Sequence, residues 1–555
     1  MVEEVPALVE GDLELRQALA VGLARLAARF GLPEPMLLVR ELVDPLDDLM
    51  VIHVCSRPGC GSNDTTVLPV RTASSSPLRS WGHDGPMSNL RELLTSTADR
   101  VADYRGSLAE RRVAPMADLE RIRAELGGPL PVEGADAGTV LDELVVAIEP
   151  ALMSSAGPRF FGFVVGGSLD AAVGADILTT GWDQMAFNGA SSPAAALVEE
   201  IAGAWLKESL GLPADASFGI VTGTQAGNTV GLAAARHRVL QRVGWDVERH
   251  GLHGAPRIRV VAGEERHATI DRSLRLLGIG VDAVQSVPAG PNGAVDPDAL
   301  VRILEADPDE PTIVCAQAGN VNTGAFDDLL VACEAARRRG AWVHVDGAFG
   351  LWAAASPAFE HLVSGRQAAD SWVVDGHKWL NLPYDAGFVF CADPDAHAAS
   401  MSYTAAYLVG QGEGSIRAPS DLVLEASHRA RGFVTWAALR ELGRDGLADL
   451  VERCCMLARR FADELGAIEG VTIANDVVLN QVLVGFGDDE RTDRVIEGIQ
   501  REGTCWMGGT TWHGRRLMRI SVSNWTTTEA DLDFSVEAIR RVLASQSQRV
   551  KRQPR

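Results

Sequence analysis

The sequence predicts an α/β fold, a mainly parallel sheet with helices on both faces, followed by a smaller α+β C-terminal domain. Two observations carry this. Strand and helix patterns alternate as far as about Gly387, with short β-branched-rich runs at Thr312–Ala316, Trp342–Val345 and Trp372–Val374 between helical segments. Chemically distinctive residues also cluster just beyond such runs, Asp346 and Lys378 above all. In sheets of this kind ligands bind outside the strand ends.

The chain divides by pattern into five stretches. Residues 1–86 form an extension carrying none of the distinctive residues. In it, Leu15, Leu19, Leu23, Leu26 and Phe30 recur at helical spacing until Gly31 and Pro33, and Leu49–Val54 reads as a strand. This stretch is either a small accessory domain or sequence upstream of a start at Met87. Residues 87–157 are mainly helical, with Leu90, Leu93, Leu94, Ala98 and Val101 on one side. Residues 158–430 hold the alternating region, and 431–544 the smaller domain. That domain opens on a helix near Thr435–Leu442, continues through strands at Val477–Val484 and Leu517–Val522, and ends on a helix at Thr528–Leu543. The polar, basic tail 545–555 is expected to be disordered.

Composition narrows the function. The formal net charge is −23, which argues against nucleic acid or an anionic membrane as partner. No apolar run approaches the roughly 20 residues needed to span a bilayer, and Met1-Val2-Glu3-Glu4 lacks the basic start of a secretory signal. The eight cysteines are scattered, so reduced thiols and a cytoplasmic location are expected. Cys55, Cys60 and His53 could form a metal clip, but no second ligand pair lies nearby, and no metal is expected.

The chemistry starts from Asp375-Gly376-His377-Lys378-Trp379 and Val343-His344-Val345-Asp346-Gly347-Ala348. A lone lysine here would ordinarily be a surface residue, and an aspartate at a strand end an ordinary cap. Together they meet the needs of pyridoxal phosphate (PLP), whose aldehyde takes a lysine amine and whose ring nitrogen needs a carboxylate. His267, after the strand Ile258–Val261, could stack on the ring or be a core histidine. The turn Thr222-Gly223-Thr224-Gln225-Ala226-Gly227-Asn228 opens a helix through Leu240. Free N–H groups and a positive dipole end suit a phosphate there.

In combination and order, these motifs resemble the group II PLP-dependent amino-acid decarboxylases, the family of the aromatic amino acid and glutamate decarboxylases. The likeness runs from about Ser88 to Val542 and includes Ala318–Gly324 and Arg519-Ile520-Ser521. It implies a fold-type I enzyme with an aspartate aminotransferase-like large domain. It also implies a homodimer whose N-terminal arm, around Val113-Ala114-Pro115, wraps a second subunit.

The resemblance assigns roles to single residues. Lys378 is the Schiff-base lysine framed by His377, Asp346 the partner of the ring nitrogen, Ala348 the small residue flat against the ring and His267 the stacking residue on its other face. Thr224 and Gln225 stand in the phosphate turn, where glutamine departs from the family. Gln317 departs too, replacing a threonine near the cofactor. Tyr407, in a glycine-rich stretch resembling the family's mobile loop, matches the tyrosine that returns a proton to the substrate carbon, with simple packing as its alternative. Phe160 and Phe161 resemble a pair at the substrate mouth. Arg519 matches an arginine that meets a substrate carboxylate or forms an internal salt bridge. Gly166 replaces a substrate-contacting threonine, which is expected to open space. The implied reaction is decarboxylation of an L-amino acid to an amine and carbon dioxide. Retention of Tyr407 favours it over aldehyde formation, transamination or carbon–carbon cleavage. A PLP-binding protein without turnover is the remaining alternative, and an aromatic amino acid is the favoured substrate.

Overall fold

The computed structural model describes residues 49–54, 66–71, 87–116, 118–306, 310–403 and 417–552. By contacts the chain forms two units, Met1–Thr95 and Ser96–Arg555. In the first, strand β1 (Leu49–Val54) is where the sequence put it and pairs antiparallel with β2 (Thr66–Arg71). The helix expected near Leu15–Phe30 and the cysteines Cys55 and Cys60 lie outside the described residues.

The second unit contains two sheets. The larger has seven strands: β3 (Ser217–Val221), β4 (Arg259–Gly263), β5 (Val284–Val287), β6 (Thr312–Gln317), β7 (Trp342–Asp346), β8 (Ser371–Asp375) and β9 (Gly387–Cys391), in the spatial order β3-β9-β8-β7-β6-β4-β5. Only β9 runs against its neighbours. Strands β4, β7, β8 and β9 are buried at every residue, as expected of a sheet covered on both faces. Register then places function. Gln317 lies opposite Asp346, Asp346 opposite Val373, and Asp375 opposite Gly387, so β6, β7 and β8 bring their carboxyl ends to one edge.

The smaller sheet is antiparallel, in the order β10 (Thr472–Ile473), β11 (Gln481–Gly485), β13 (Arg515–Ser521), β12 (Gly508–Trp512). It follows a long helix, Arg431–Gly466, bent at Gly443. The last helix, Glu529–Arg552, runs on through most of the stretch expected to be disordered. Gln, Lys and Arg are adequate helix formers, and a helix already anchored by buried Leu532, Val536 and Ile539 continues through them at little cost.

One side chain ties the two sheets together beside the site. Asn381 is fully buried and adopts φ +54°, a region that Asn tolerates better than most residues. Its Oδ1 accepts from the N–H groups of Gly167 (2.6 Å) and Trp525 (3.0 Å), and its Nδ2 donates to the carbonyls of Trp379 (2.8 Å) and Ser523 (3.0 Å). The loop after Lys378, the loop before the helix Asp170–Trp182 and the segment after β13 therefore share one amide.

Replacing Asn381 by Ala leaves four buried backbone groups without their partner. It is expected to destabilise the fold by roughly 3–5 kcal/mol, read as a lower urea midpoint with an unchanged slope. A loss under about 1 kcal/mol would show that water or a local shift replaces the amide.

Candidate active site

The site assembles where the parallel strands end. Lys378 follows β8, and its Nζ lies 2.9 Å from Oδ2 of Asp375. Asp375 is 2 % exposed in its side chain. It also accepts from the N–H (2.7 Å) and the hydroxyl (2.9 Å) of Thr224, the first residue of the helix Thr224–Arg242. Burial pushes the Asp375 carboxyl up, but the charges of Lys378 and His377 and these hydrogen bonds outweigh it, so its pKa falls below the usual value. Asp375 thus ties the lysine to the phosphate turn, a role the sequence reading did not assign.

Backbones crowd closely here. A Cβ on Gly387 would sit 2.5 Å from the Gly223 Cα and 3.0 Å from Oδ1 of Asp375. Gly166 is equally constrained, since its Cβ would fall 1.9 Å from the Lys378 carbonyl oxygen. The expectation that Gly166 opens space is therefore corrected. The carbonyl of the lysine itself fills that position, and this long-range contact is invisible in the sequence.

Asp346, at the end of β7, is 5 % exposed. Its Oδ1 accepts from the N–H of Ala348 (3.2 Å) and its Oδ2 from Nδ2 of Asn228 (3.2 Å). His267 caps the helix Ala268–Leu276, its Nδ1 accepting from the Thr269 N–H at 3.3 Å. The ring is water-exposed yet surrounded closely enough that desolvation lowers its pKa. Asp346, Lys378, Arg519 and Asp375 all act on it electrostatically. That convergence brings together groups from β7, β8, β13 and their following loops. His377 stacks on Tyr384 at 4.4 Å, and its Nδ1 accepts from the Ala386 N–H at 3.2 Å.

Other residues named from the sequence have local duties. The Gln225 side chain turns away from the helix start to donate to Ser273 (3.0 Å), leaving its first-turn N–H for an anion. Gln317 donates its N–H to Asp327 (2.7 Å), and its Oε1 accepts from Asn320 (3.0 Å). Phe160 is 4 % exposed and stacks on Trp506 at 5.0 Å, whereas Phe163, on the same Trp506 at 5.3 Å, is 64 % exposed. Arg519 donates to the Val321 carbonyl at 3.0 Å and forms no ion pair among the described residues. Tyr407 lies outside the described residues.

These groups fit PLP. A buried carboxylate faces the same strand-end edge as an amine, and a helix start, with its positive dipole end, adjoins both. Lysine usage sharpens the choice, a signal the sequence reading passed over. The chain has only Lys207, Lys378 and Lys551, and Lys207 is occupied by the carbonyls of Ala214 (2.6 Å) and Ala216 (2.8 Å). Among the described residues no cluster of His, Cys, Asp and Glu could hold a metal ion.

Comparison with known proteins agrees with the geometry. Residues 123–486 match the model of the pyridoxal-dependent decarboxylase conserved domain. The chain is 27 % identical to tryptophan decarboxylase 1 of Oryza sativa subsp. japonica over 82 % of its own length and 93 % of that protein's. It is 26 % identical to phenylacetaldehyde synthase of a Rosa hybrid cultivar, over 77 % and 89 %. The Oryza sativa TDC crystallised with PLP and tryptamine superposes with a TM-score of 0.78 at 25 % identity, over 83 % of this chain and 99 % of that one. The chain belongs to the pyridoxal-dependent decarboxylase family, a PLP-dependent carboxy-lyase acting on an amino acid.

Proposed function

We propose that the substrate is an aromatic L-amino acid, converted to its amine and carbon dioxide by a cytoplasmic homodimer. The observation that carries the substrate reading is Arg519. A desolvated guanidinium with one backbone partner and no carboxylate among the described residues is ready for a substrate anion. The aromatic preference rests on Phe163 and Trp506 beside Phe160, and on the tryptophan and tyrosine decarboxylases among the relatives.

PLP, when bound, supplies an aldehyde for the lysine and a ring that accepts the electron pair left as the carboxyl group departs. The chain's own residues do the rest. Lys378 would hold the cofactor through its amine. Asp346 would keep a proton at the ring nitrogen, and His267 and Ala348 would flank the ring. The start of the helix Thr224–Arg242, with Thr224, Gln225 and His377 near it, would hold the phosphate. Arg519 captures and orients the substrate carboxylate. Tyr407 returns a proton to the substrate carbon. An ion pair to the departing group favours binding over departure, so Arg519 acts on capture more than on the chemical step.

The dimer is supported by apolar surface. The helix Leu119–Leu126 buries no residue and Ala137–Ile148 buries only Ala147, although the latter exposes Val140, Leu144 and Val146. A groove of ≈ 890 Å³ is lined by Ala171, Leu178, Trp182, Val198, Phe433 and Trp436. Leu178 and Trp182 are each at least half exposed there, an apolar patch of the kind that marks an interface. The cytoplasmic reading rests on the six described cysteines being unpaired and on the absence, among the described residues, of any helix long and apolar enough to cross a membrane.

Three outcomes follow. Arg519→Gln should raise KM by about tenfold or more with a smaller change in kcat, because a charge-assisted contact is lost. An unchanged KM would return Arg519 to a structural role. Tyr407→Phe should still bind PLP but release aldehyde and ammonia with consumption of dioxygen, measured against amine yield. Unchanged amine yield would reduce Tyr407 to packing. Trp182→Glu should shift sedimentation toward the monomer, with the dimer weakened by about tenfold or more. A variant that stays as dimeric as the parent protein would place the interface elsewhere.

A further inference from the structure

Asp346 and His267 are linked through one hydrogen-bond chain, buried from Trp342 as far as Asn228. The indole N–H of Trp342 can only donate, and it gives its proton to Oγ of Ser371 at 2.9 Å. The Ser371 hydroxyl lies 2.8 Å from Nδ1 of His344, and it donates there because the His344 proton sits on the other ring nitrogen. The other ring nitrogen of His344, Nε2, lies 2.8 Å from Oδ1 of Asn228, which can only accept. His344 therefore carries its proton on Nε2. Full burial lowers its pKa to about 4, so the ring is neutral.

The chain branches at Asn228. With its oxygen held by His344, its Nδ2 donates both to Oδ2 of Asp346 (3.2 Å) and to Oγ1 of Thr269 (3.1 Å). The Thr269 hydroxyl, having accepted, donates to Nδ1 of His267 at 2.8 Å, which also faces the Thr269 N–H. Nδ1 of His267 is thus an acceptor twice over, and the proton of the neutral ring sits on Nε2. Trp342, Ser371, His344 and Asn228 are all 0–1 % exposed, so water does not compete for the bonds among these four, and each strengthens the next.

We propose that Asn228 is a positioning residue that sets both groups flanking the cofactor, orienting Asp346 directly and fixing the tautomer of His267 through Thr269, with His344, Ser371 and Trp342 as the lock on its amide. The inference rests on the PLP site described above and adds residues that touch neither cofactor nor substrate. The fixed polarity explains why an amide stands at position 228. A carboxylate there could donate to neither branch and would set two acids side by side. A flipped amide would turn its oxygen toward Asp346.

The test has a spectroscopic and a binding arm, both on the full chain. Histidine-labelled PLP-loaded protein, with the His344 and His267 resonances assigned by loss in His344→Gln and His267→Asn, should show both rings neutral with the proton on Nε2. A proton on Nδ1 of either ring overturns the chain. In the second arm the PLP dissociation constant is measured for variants that keep the parent melting curve. His344→Leu and Asn228→Asp should weaken PLP by about tenfold or more, whereas His344→Gln, whose amide replaces the Nε2 donor, should stay within about threefold. Equal losses in His344→Gln and His344→Leu, or parental affinity in Asn228→Asp, overturn the positioning role. Failure of every protein, parent included, to bind PLP would instead overturn the cofactor reading, while the ring tautomers would still report on the chain.

Discussion

The buried carboxylate of Asp375 holds the active site in register. It receives the Lys378 ammonium at 2.9 Å and two hydrogen bonds from Thr224. The end of β8, the start of the helix Thr224–Arg242 and Lys378 therefore cannot move independently. A buried anion is costly unless paired and hydrogen-bonded, and here Lys378 and Thr224 satisfy it. The crowding of Gly387 against Gly223 and of Gly166 against the Lys378 carbonyl follows from the same closeness. Asn381 then joins this layer to the smaller sheet.

Much of this layout was legible in the sequence because parallel sheets write their site at strand ends. Asp346 closes β7, and Lys378 and His267 follow β8 and β4 within a short loop, so local pattern and residue chemistry sufficed. The strands around them matched the expected runs to within a residue or two, since β-branched, fully buried segments are strong local signals. Contacts between distant segments were not legible. Asp375 stands beside Lys378 in the sequence, but its partner Thr224 is 151 positions away. Asn228 and His344 meet across 116 positions. Nothing local marks Gly166 as pressed against the lysine's carbonyl, and so the space expected there does not exist.

The site separates holding from reacting. Backbone groups and buried amides fix geometry, while the amine of Lys378, the ring of His267 and the guanidinium of Arg519 remain only partly covered. That division suits a reaction in which the cofactor carries the electronic burden and the protein selects which bond breaks. The departures from the family at Gln225 and Gln317 fall on side chains that the structure engages elsewhere, with Ser273 and Asn320. They alter the surroundings of the seat without removing the amine, the carboxylate or the helix start.

The proposed attachment of PLP to Lys378 is open to direct chemical test, because the chain has three lysines. Borohydride reduction of the purified protein followed by peptide mass mapping is the direct measurement. The account predicts a reduced pyridoxyl-phosphate group on the peptide containing Lys378, with Lys207 and Lys551 unmodified. A label on either of those lysines, or none on Lys378, would contradict it.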